Sequence, residues 1–246
     1  MFPYKVSDHI VLCENAVYLP KAKTLVIGDL QLGMEQQLRD TGSTIFYEQA
    51  VQMLGLIETL LVQTGATNLV INGDLKHDFG KVLFQERNDI TMLLSTLRKK
   101  IMITVVRGNH DTMTASVLQG LDVSLVDAWS SEGVLVLHGH KLPDETAGEF
   151  KNAELIVIGH VHPAITLSDG VRKERYKCFL LGKYKKKQLL VLPSFSTIVE
   201  GSDILQVASN SPLLQGDSSR VYVLADEIRP FGTIKQLRRV LELAVR

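Results

Sequence analysis

Six side chains of the kinds that bind divalent metals each follow a short apolar run of the chain. They are Asp29, Asp74, Asn109, His138, His160 and His162. Carboxylate, amide and imidazole ligands together suit borderline ions such as Mn²⁺, Fe²⁺ or Zn²⁺, whereas Ca²⁺ takes oxygen ligands. Six ligands exceed the four that close a structural site, so we predict two divalent ions that share one carboxylate, with Mn²⁺ preferred. Such a pair acts on both oxygens of an in-line displacement at phosphorus.

A histidine and an aspartate next to Asn109 have the chemistry of a proton-transfer pair. His110 lies outside the predicted ligand set, and we predict that it is the general acid of the reaction. Asp111 is predicted to orient the His110 ring and to raise its basicity.

The apolar runs before these residues have the composition of buried strands. They read TLVIGD, LVINGD, IMITVVRGNHD, GVLVLHGH and ELIVIGHVH. Ligands of open α/β sheets bind at the carboxyl ends of the strands, which is where each polar cluster falls. Gly108 allows a sharp turn, so the side chains after it can project from the end of a rigid strand.

The rest of the chain is predicted from periodicity. We expect a loop after Asp29, a helix from Ser43 or Thr44 to about Thr64, a second over 86–99 and a short third from Asp111. Residues 163–192 are predicted as strands with a turn at Gly182-Lys183, followed by a loop over 193–201 and a mobile excursion over 202–219. A strand over Val221–Leu224 and an amphipathic helix from about Thr233 to Val245 end the chain.

Length and composition favour one globular domain over residues 1–246. The chain has 246 residues, 45% of them apolar, with 27 basic and 27 acidic residues. Zero net charge predicts no bulk attraction to nucleic acid or to acidic partners, so any such attraction needs a local patch. Cys13 and Cys178 are expected to be free thiols, and we find neither a signal peptide nor a long apolar run. We therefore expect a cytoplasmic protein that does not bind membranes.

The five motifs together resemble a known family. GDLQ, GDLKH, GNHD, LHGH and GHVH, in this order over residues 28–162, resemble the signature of calcineurin-like metallophosphoesterases. GDLKH and GHVH look most like the branch related to the SbcD-type DNA-repair nuclease, and the chain length looks like its short archaeal and bacterial relatives. The resemblance implies an α/β fold in which two packed mixed β-sheets form a sandwich with helices outside.

The resemblance also implies roles for single residues. Asp29 and His162 would hold a first metal, and Asp74 would bridge to a second metal held by Asn109, His138 and His160. His110 would act on the substrate phosphate or on the leaving group. One position departs from the family pattern Asp-x-His, because Gln31 stands where the family has histidine. Its amide oxygen is a weaker, neutral ligand, so the first site is predicted to be the weaker one.

Substrate contacts are predicted around these motifs and on a basic segment. His77 and His140 are expected either to touch substrate or only to lie near the metals. Lys183, Lys185 and Lys186 belong to a basic run over 172–187, interleaved with aromatic residues, which is either a nucleic-acid face or a solvated hairpin.

Three functions are consistent with these features. The favoured one is a dinuclear phosphodiesterase or nuclease that acts on DNA or RNA. The second is a phosphatase of a small phosphomonoester or a phosphoprotein. The third is a weakened or inactive relative that works as the partner of a helicase, a repair complex or another nucleic-acid machine.

Overall fold

A computed structural model of the chain describes residues 3–42, 48–168, 172–205, 211–214 and 216–244. Within these residues the first sheet has seven strands in chain order. The strands are β1 (Tyr4–Ser7), β2 (Ile10–Cys13), β3 (Ala16–Leu19), β4 (Thr24–Gly28), β5 (Asn68–Asn72), β6 (Met102–Val106) and β7 (Ser124–Val126). Strands β4 to β7 are parallel, so their carboxyl ends lie at one edge of the sheet.

The second sheet is built from the later strands. They are β8 (Trp129–Ser131), β9 (Val134–Val136), β10 (Leu155–Ile158), β11 (Pro163–Ser168), β12 (Lys173–Tyr184), β13 (Lys187–Val191), β14 (Ser202–Asp203), β15 (Arg220–Leu224) and β16 (Ile228–Thr233). Strands β9, β10 and β13 pair in parallel, which brings their carboxyl ends together as well.

The described helices are α1 (Met34–Asp40), α2 (Gln49–Thr64), α3 (Phe84–Leu97), α4 (Thr114–Leu118), α5 (Gly148–Asn152) and α6 (Ile234–Ala244). The long helices α2 and α3 are the crossovers between parallel strands of the first sheet. Met53 and Ile57 of α2 and Leu93 of α3 pack in one cluster with Leu25 and Ile27 of β4. Gly65 follows the last residue of helix α2, and its left-handed conformation is typical of a helix C-terminus.

The two sheets pack face to face around a buried apolar layer. Val26 and Val70 of the first sheet lie in one cluster with Val157, Phe179 and Leu190 of the second. Because strand side chains alternate between faces, Leu25 and Ile27 point instead toward the helices. The predicted fold class, two packed mixed sheets flanked by helices, is confirmed.

Several local predictions were wrong. The segment after Asp29 is not only a loop, because α1 forms in it. The turn predicted at Gly182-Lys183 lies at Lys185-Lys186, where Lys185 takes a positive φ of 54° and β12 continues through Gly182. The short helix predicted from Asp111 begins at Thr114, and strand β16 was not predicted. The predicted start of α2 at residues 43–44 and part of the excursion over 202–219 lie outside the described residues.

Among the residues that the structure describes, no helix has both the length and the apolar composition needed to cross a bilayer. That residues 1–246 form one domain stays a prediction.

Candidate metal centre

The carboxyl ends of the parallel strands of both sheets meet at one edge of the sandwich. Direct hydrogen bonds join the two sheets there. The Asn72 side-chain amide donates to Leu137 O at 3.1 Å, and the Ser194 hydroxyl donates to Asp29 O at 2.7 Å. The backbone N–H of Phe195 donates to Gly28 O at 2.8 Å. Residues that follow strands of different sheets therefore converge on one site.

The predicted metal ligands lie together at this edge in two overlapping groups. The first group is Asp29, Asp74 and His162, and the second is Asp74, His138 and His160; the ligand atoms within each group lie within 4.8 Å of one another. Asn109 joins the second group, since its Oδ1 lies 2.9 Å from His138 Nε2. Asp74 is common to both groups, which is the position required of a shared ligand.

The backbone at this edge is sharply turned. Asp29, Asp74, His160 and His162 all have positive φ, between 47° and 64°. Such conformations cost free energy in non-glycine residues and tend to occur at functional sites. Gly108 lets its backbone approach that of Asp74 closely, because a Cβ at this position would lie 2.3 Å from Asp74 N. The turns direct the side chains back over the strand ends, where they face one another.

Buried charges set the titration of the site. Burial opposes the charged form of His138, but the neighbouring Asp74 and Asp29 carboxylates raise its pKa to about 9. Burial alone would raise the pKa of Asp74, yet contact with His138 and the charge of His110 bring it below its usual value. Burial and then the charge of His138 lower the pKa of His160 to about 4. His138 therefore carries a proton near neutral pH. Burial opposes the charged form of His162 too, but the Asp29 carboxylate raises the pKa of that ring.

This donor set fits divalent metals. Asp29 is 0% and Asp74 2% exposed, and buried carboxylates of this kind are paired with cations or coordinate metals. Imidazole nitrogens complete each group, a combination that suits Mn²⁺, Fe²⁺ or Zn²⁺. The residues present can therefore hold two ions, one in each group.

We expect the affinity of the second group for Mn²⁺ to rise with pH. Below its pKa of about 9, His138 is protonated and a metal ion must displace that proton. One displaced proton raises the apparent affinity by roughly tenfold per pH unit until the pKa is reached. Calorimetric titration at pH 6.5, 7.5 and 8.5 in buffers of different ionisation enthalpy measures both affinity and proton release. An affinity that does not change with pH, without proton release, would show that metal binding does not displace the His138 proton.

Gln31 is oriented differently from the prediction. Its amide nitrogen donates to Asp74 Oδ2 at 3.1 Å, and its oxygen lies 2.8 Å from Nδ1 of His77. The oxygen that was predicted to bind the first metal therefore faces His77, while the amino group faces the shared carboxylate. The side chain is 3% exposed, so it bridges two residues in the interior of the site.

His110 lies beside the shared carboxylate, but Asp111 does not orient its ring as predicted. Nε2 of His110 is 3.6 Å from Asp74 Oδ2, and Nδ1 lies 2.5 Å from the carbonyl oxygen of His77. The Asp111 carboxylate accepts hydrogen bonds from Gly108 N, Leu75 N and the Thr114 hydroxyl. Asp111 therefore fixes the loop after β6, and the His77 carbonyl orients the catalytic candidate.

His77 and His140, for which substrate contact was predicted, lie near the two metal groups but belong to neither. The ring centroid of His140 is 5.3 Å from that of His138 and 6.0 Å from that of His160. His77 hydrogen-bonds the Gln31 side chain, which in turn contacts Asp74. Burial is the largest cause that lowers the pKa of both rings, which favours their neutral forms. Contact of either residue with substrate stays a prediction.

The predicted substrate lysines lie away from this edge. The turn Lys185-Lys186 precedes β13, which runs parallel to β10 with Gln188 opposite Leu155. The turn is therefore level with the start of β10, whereas His160 follows its end, and a four-residue strand spans about 13 Å. Lys183 pairs with Gln188 near the same end, and Lys185 makes an ion pair with Glu145. The three lysines are thus exposed at the opposite end of the strands.

We therefore expect the triple variant Lys183→Gln, Lys185→Gln, Lys186→Gln to bind a short oligonucleotide with an unchanged salt dependence. Each phosphate contact that is lost would lower the slope of log affinity against log salt by about 1. Fluorescence anisotropy at several salt concentrations measures the slope. A decrease of about one per lysine would place the hairpin on the nucleic acid.

The Asp29 turn is held by residues that no motif of the sequence predicted. Lys177 is a half-buried lysine of β12 whose ammonium group donates to Ser194 O at 2.9 Å and to Ser196 O. Burial lowers the pKa of Lys177 to about 8. The Ser196 hydroxyl hydrogen-bonds Gln49, which donates in turn to Gln31 O at 3.2 Å. Their only sequence signal is the polar PSFS segment after a buried strand, since Lys177 reads as part of an exposed basic run.

Two mixed sheets with a buried carboxylate–histidine cluster at their shared edge define a metal-dependent phosphoesterase architecture. Residues 22–201, well over half of the chain, match the family model described as calcineurin-like phosphoesterase. The chain belongs to this family, whose members bind divalent metals. The family prediction made from the five motifs is confirmed.

The chain is similar to solved structures of a nuclease and a phosphoesterase. The nuclease MPE of Pseudomonas putida aligns with a TM-score of 0.67 and 21% identity, covering 94% of this chain and 99% of that chain. Yfce, a phosphoesterase from E. coli, aligns with a TM-score of 0.38 and 18% identity, covering 85% of this chain and 92% of that one. At 21% identity, the likeness to the P. putida structure shows the fold alone. No curated protein sequence matches the chain significantly.

Proposed function

We propose that the chain is a dinuclear metal-dependent phosphodiesterase that hydrolyses nucleic acid. The observation that carries the reaction class is that Asp74 belongs to two carboxylate–histidine groups, with His110 beside it. The likeness to the P. putida nuclease, which aligns over nearly the whole of both chains, suggests nucleic acid as the substrate. Neutral overall charge restricts any attraction for that substrate to local positions.

In this proposal Asp29, Asp74 and His162 hold one ion, and Asp74, Asn109, His138 and His160 hold the other. Mn²⁺ is the ion that we favour over Fe²⁺ and Zn²⁺, because carboxylate and amide oxygens, the ligands that suit Mn²⁺, are present in the proposed sites and one carboxylate is shared by both. When bound, two divalent ions supply Lewis-acid activation of water and neutralise charge on the phosphoryl group.

The residues of the chain supply positioning and proton transfer. The His77 carbonyl accepts a hydrogen bond from Nδ1–H of His110, which leaves Nε2 facing the shared carboxylate. With Nδ1–H engaged in this way, a proton taken up by the ring goes to Nε2, and the imidazolium can then pass that Nε2 proton to a leaving oxygen. The buried Asp74 accepts the backbone N–H of His110 at 3.0 Å, which fixes the distance between acid and ligand.

Hydrolysis assays of the purified chain with added Mn²⁺ test the proposal. The substrates are single-stranded DNA, RNA, bis(p-nitrophenyl) phosphate as a generic diester, and p-nitrophenyl phosphate as a monoester. We expect cleavage of nucleic acid and of the generic diester, with the monoester the poorest substrate. Preferential hydrolysis of the monoester would identify a phosphatase instead.

The Gln31 contacts favour a second candidate function. The side chain at the position where the family has histidine presents an amino group to Asp74 and so leaves the first group one ligand short. A chain with a weak first site can work as the partner of a helicase or another nucleic-acid machine rather than as its catalyst. An active wild-type chain in the assays above would reject this candidate.

We expect Gln31→His to strengthen the first metal site and to raise turnover, because an imidazole replaces a neutral amide beside Asp29 and Asp74. The change should lower the Mn²⁺ concentration at half-maximal activity by about tenfold or more, the scale of adding back a ligand-supporting group. Metal titration of diester hydrolysis, with calorimetry for stoichiometry, measures it. Gln31→Ala is the comparison: it removes the contacts with Asp74 and His77 without adding an imidazole, so it should not lower that Mn²⁺ concentration. Tight binding of two ions by wild type, without gain in Gln31→His, would make the substitution a tolerated variant.

A further inference from the structure

A cavity of about 760 Å³ opens directly beside the second metal group. Asn109 and His138 of the second metal group line it, together with residues of the segment from Gly139 to Phe150. Small-molecule sites have volumes of about 300–1,000 Å³, so the cavity has the size of a ligand site. A group esterified to a phosphate at the metal centre would extend into it.

The deep part of the cavity is apolar. Leu135, Leu137 and Phe150 line it, each less than 9% exposed. The Phe150 ring is held on its other sides, because the Lys187 ammonium lies 4.8 Å from its centroid and the Tyr184 ring stands nearly perpendicular at 6.3 Å. At the mouth Leu142 is 58% exposed. The walls therefore suit a flat apolar group better than a sugar-phosphate chain.

The charges around the cavity also disfavour a sugar-phosphate chain as its occupant. Carboxylates of Asp127, Asp144 and Glu149 line it, against two cations, Arg107 and Lys141. Arg107 already pairs with Asp127 at 3.2 Å. This balance opposes a second phosphate inside the cavity, whereas carboxylates accept hydrogen bonds from the amino and imino groups of a nucleobase.

We propose that the cavity binds one unpaired nucleobase, carried by the nucleotide whose phosphate lies at the metal centre. The inference rests on the proposed function for the phosphate and adds the position of the base. It implies that the substrate is single-stranded, or frayed, at the cleavage point, because a paired base cannot enter the cavity. Ala147 lines the cavity, so a larger side chain at this position would reduce the available space.

Binding experiments with Mn²⁺ present test the site without requiring turnover. The probes are thymidine 5′-monophosphate, 2-deoxyribose 5-phosphate and phenyl phosphate, titrated by calorimetry. We expect the nucleotide to bind about tenfold more tightly than the abasic probe, the scale of one base held on an apolar or aromatic wall. Ala147→Phe should reduce this advantage to under about threefold by filling the cavity. Ala147→Ser, which keeps the space, should retain it.

The outcomes separate the two proposals. Equal binding of the nucleotide and the abasic probe would overturn the nucleobase site, even if the protein cleaves DNA. Phenyl phosphate binding as tightly as the nucleotide would also overturn it and indicate a general aromatic pocket. A nucleotide preference that Ala147→Phe removes, in a protein that cleaves no nucleic acid, would support the base site and reject the proposed hydrolysis.

Discussion

Replacing Asp74 by asparagine is expected to abolish binding of both metal ions and to reduce turnover by at least about 10²–10³-fold, the scale of removing one preorganised charge-stabilising group. The carboxylate is shared by the two candidate groups and is 2% exposed. Asparagine keeps the shape of the side chain but removes the charge that both sites use. Loss of a single terminal ligand such as His160 should instead empty one site only.

Two measurements distinguish this expectation from simple unfolding. Wild type should gain thermal stability when Mn²⁺ is added, because a ligand that binds only the native state stabilises it, and Asp74→Asn should gain none. Circular dichroism without metal reports whether the variant is folded. Asp8→Asn, an exposed carboxylate in the turn between β1 and β2, is the matched control. Two equivalents of Mn²⁺ still bound by Asp74→Asn would show that Asp74 is not the bridge.

The convergence of the ligands could be predicted because it follows from strand direction. Each of Asp29, Asp74, Asn109, His138 and His160 follows a parallel strand, and parallel strands of one sheet share an edge. That the two sheets bring their edges together does not follow from the pattern alone. It depends on contacts between sheets, such as that of the Asn72 amide with Leu137 O, between residues far apart in sequence.

The errors at α1 and Gly182 share a physical cause. Contacts of polar side chains in buried positions do not appear in the apolar periodicity from which helices and strands are predicted. Helix α1 was missed because Glu35, on its buried side, is polar and pairs with Gln49 in the interior. The turn at Gly182 was predicted because glycine usually marks one. In the structure Gly182 stays in the strand, where the Ser219 side chain lies so close that a Cβ would be 2.2 Å from its hydroxyl. Neither contact is visible in the local sequence.

The neighbours of the metal ligands were harder to predict than the ligands themselves. The sequence placed Asp111 next to His110, and adjacency suggested that they interact. The chain turns between them, so the Asp111 carboxylate reaches the backbone of Gly108 and Leu75, and His110 meets the carbonyl of His77. Motif spacing predicts which residues follow which strand. It does not predict the direction of a side chain after a turn.

His110 is the residue whose loss should separate chemistry from metal binding. Its Nε2 lies 3.6 Å from the shared carboxylate, and its side chain is 13% exposed, so it can reach a substrate phosphate without being a ligand. The Phe79 ring lies 3.5 Å from the imidazole centroid and holds the ring in place together with the His77 carbonyl. An imidazole fixed in this way can deliver a proton to the leaving oxygen.

We therefore expect His110→Ala to lower kcat for nucleic acid by about 10²–10⁴-fold, the typical contribution of general acid catalysis, while two Mn²⁺ ions still bind. The loss should shrink for a diester with p-nitrophenolate as leaving group, because that anion departs without a proton. His9→Ala, an exposed imidazole between β1 and β2, is the control for histidine removal. Steady-state kinetics on both substrates, with calorimetry for metal stoichiometry, make the comparison. Equal losses on the two substrates would show that His110 acts on the phosphate and not on the leaving group, and a loss of metal would make it a ligand.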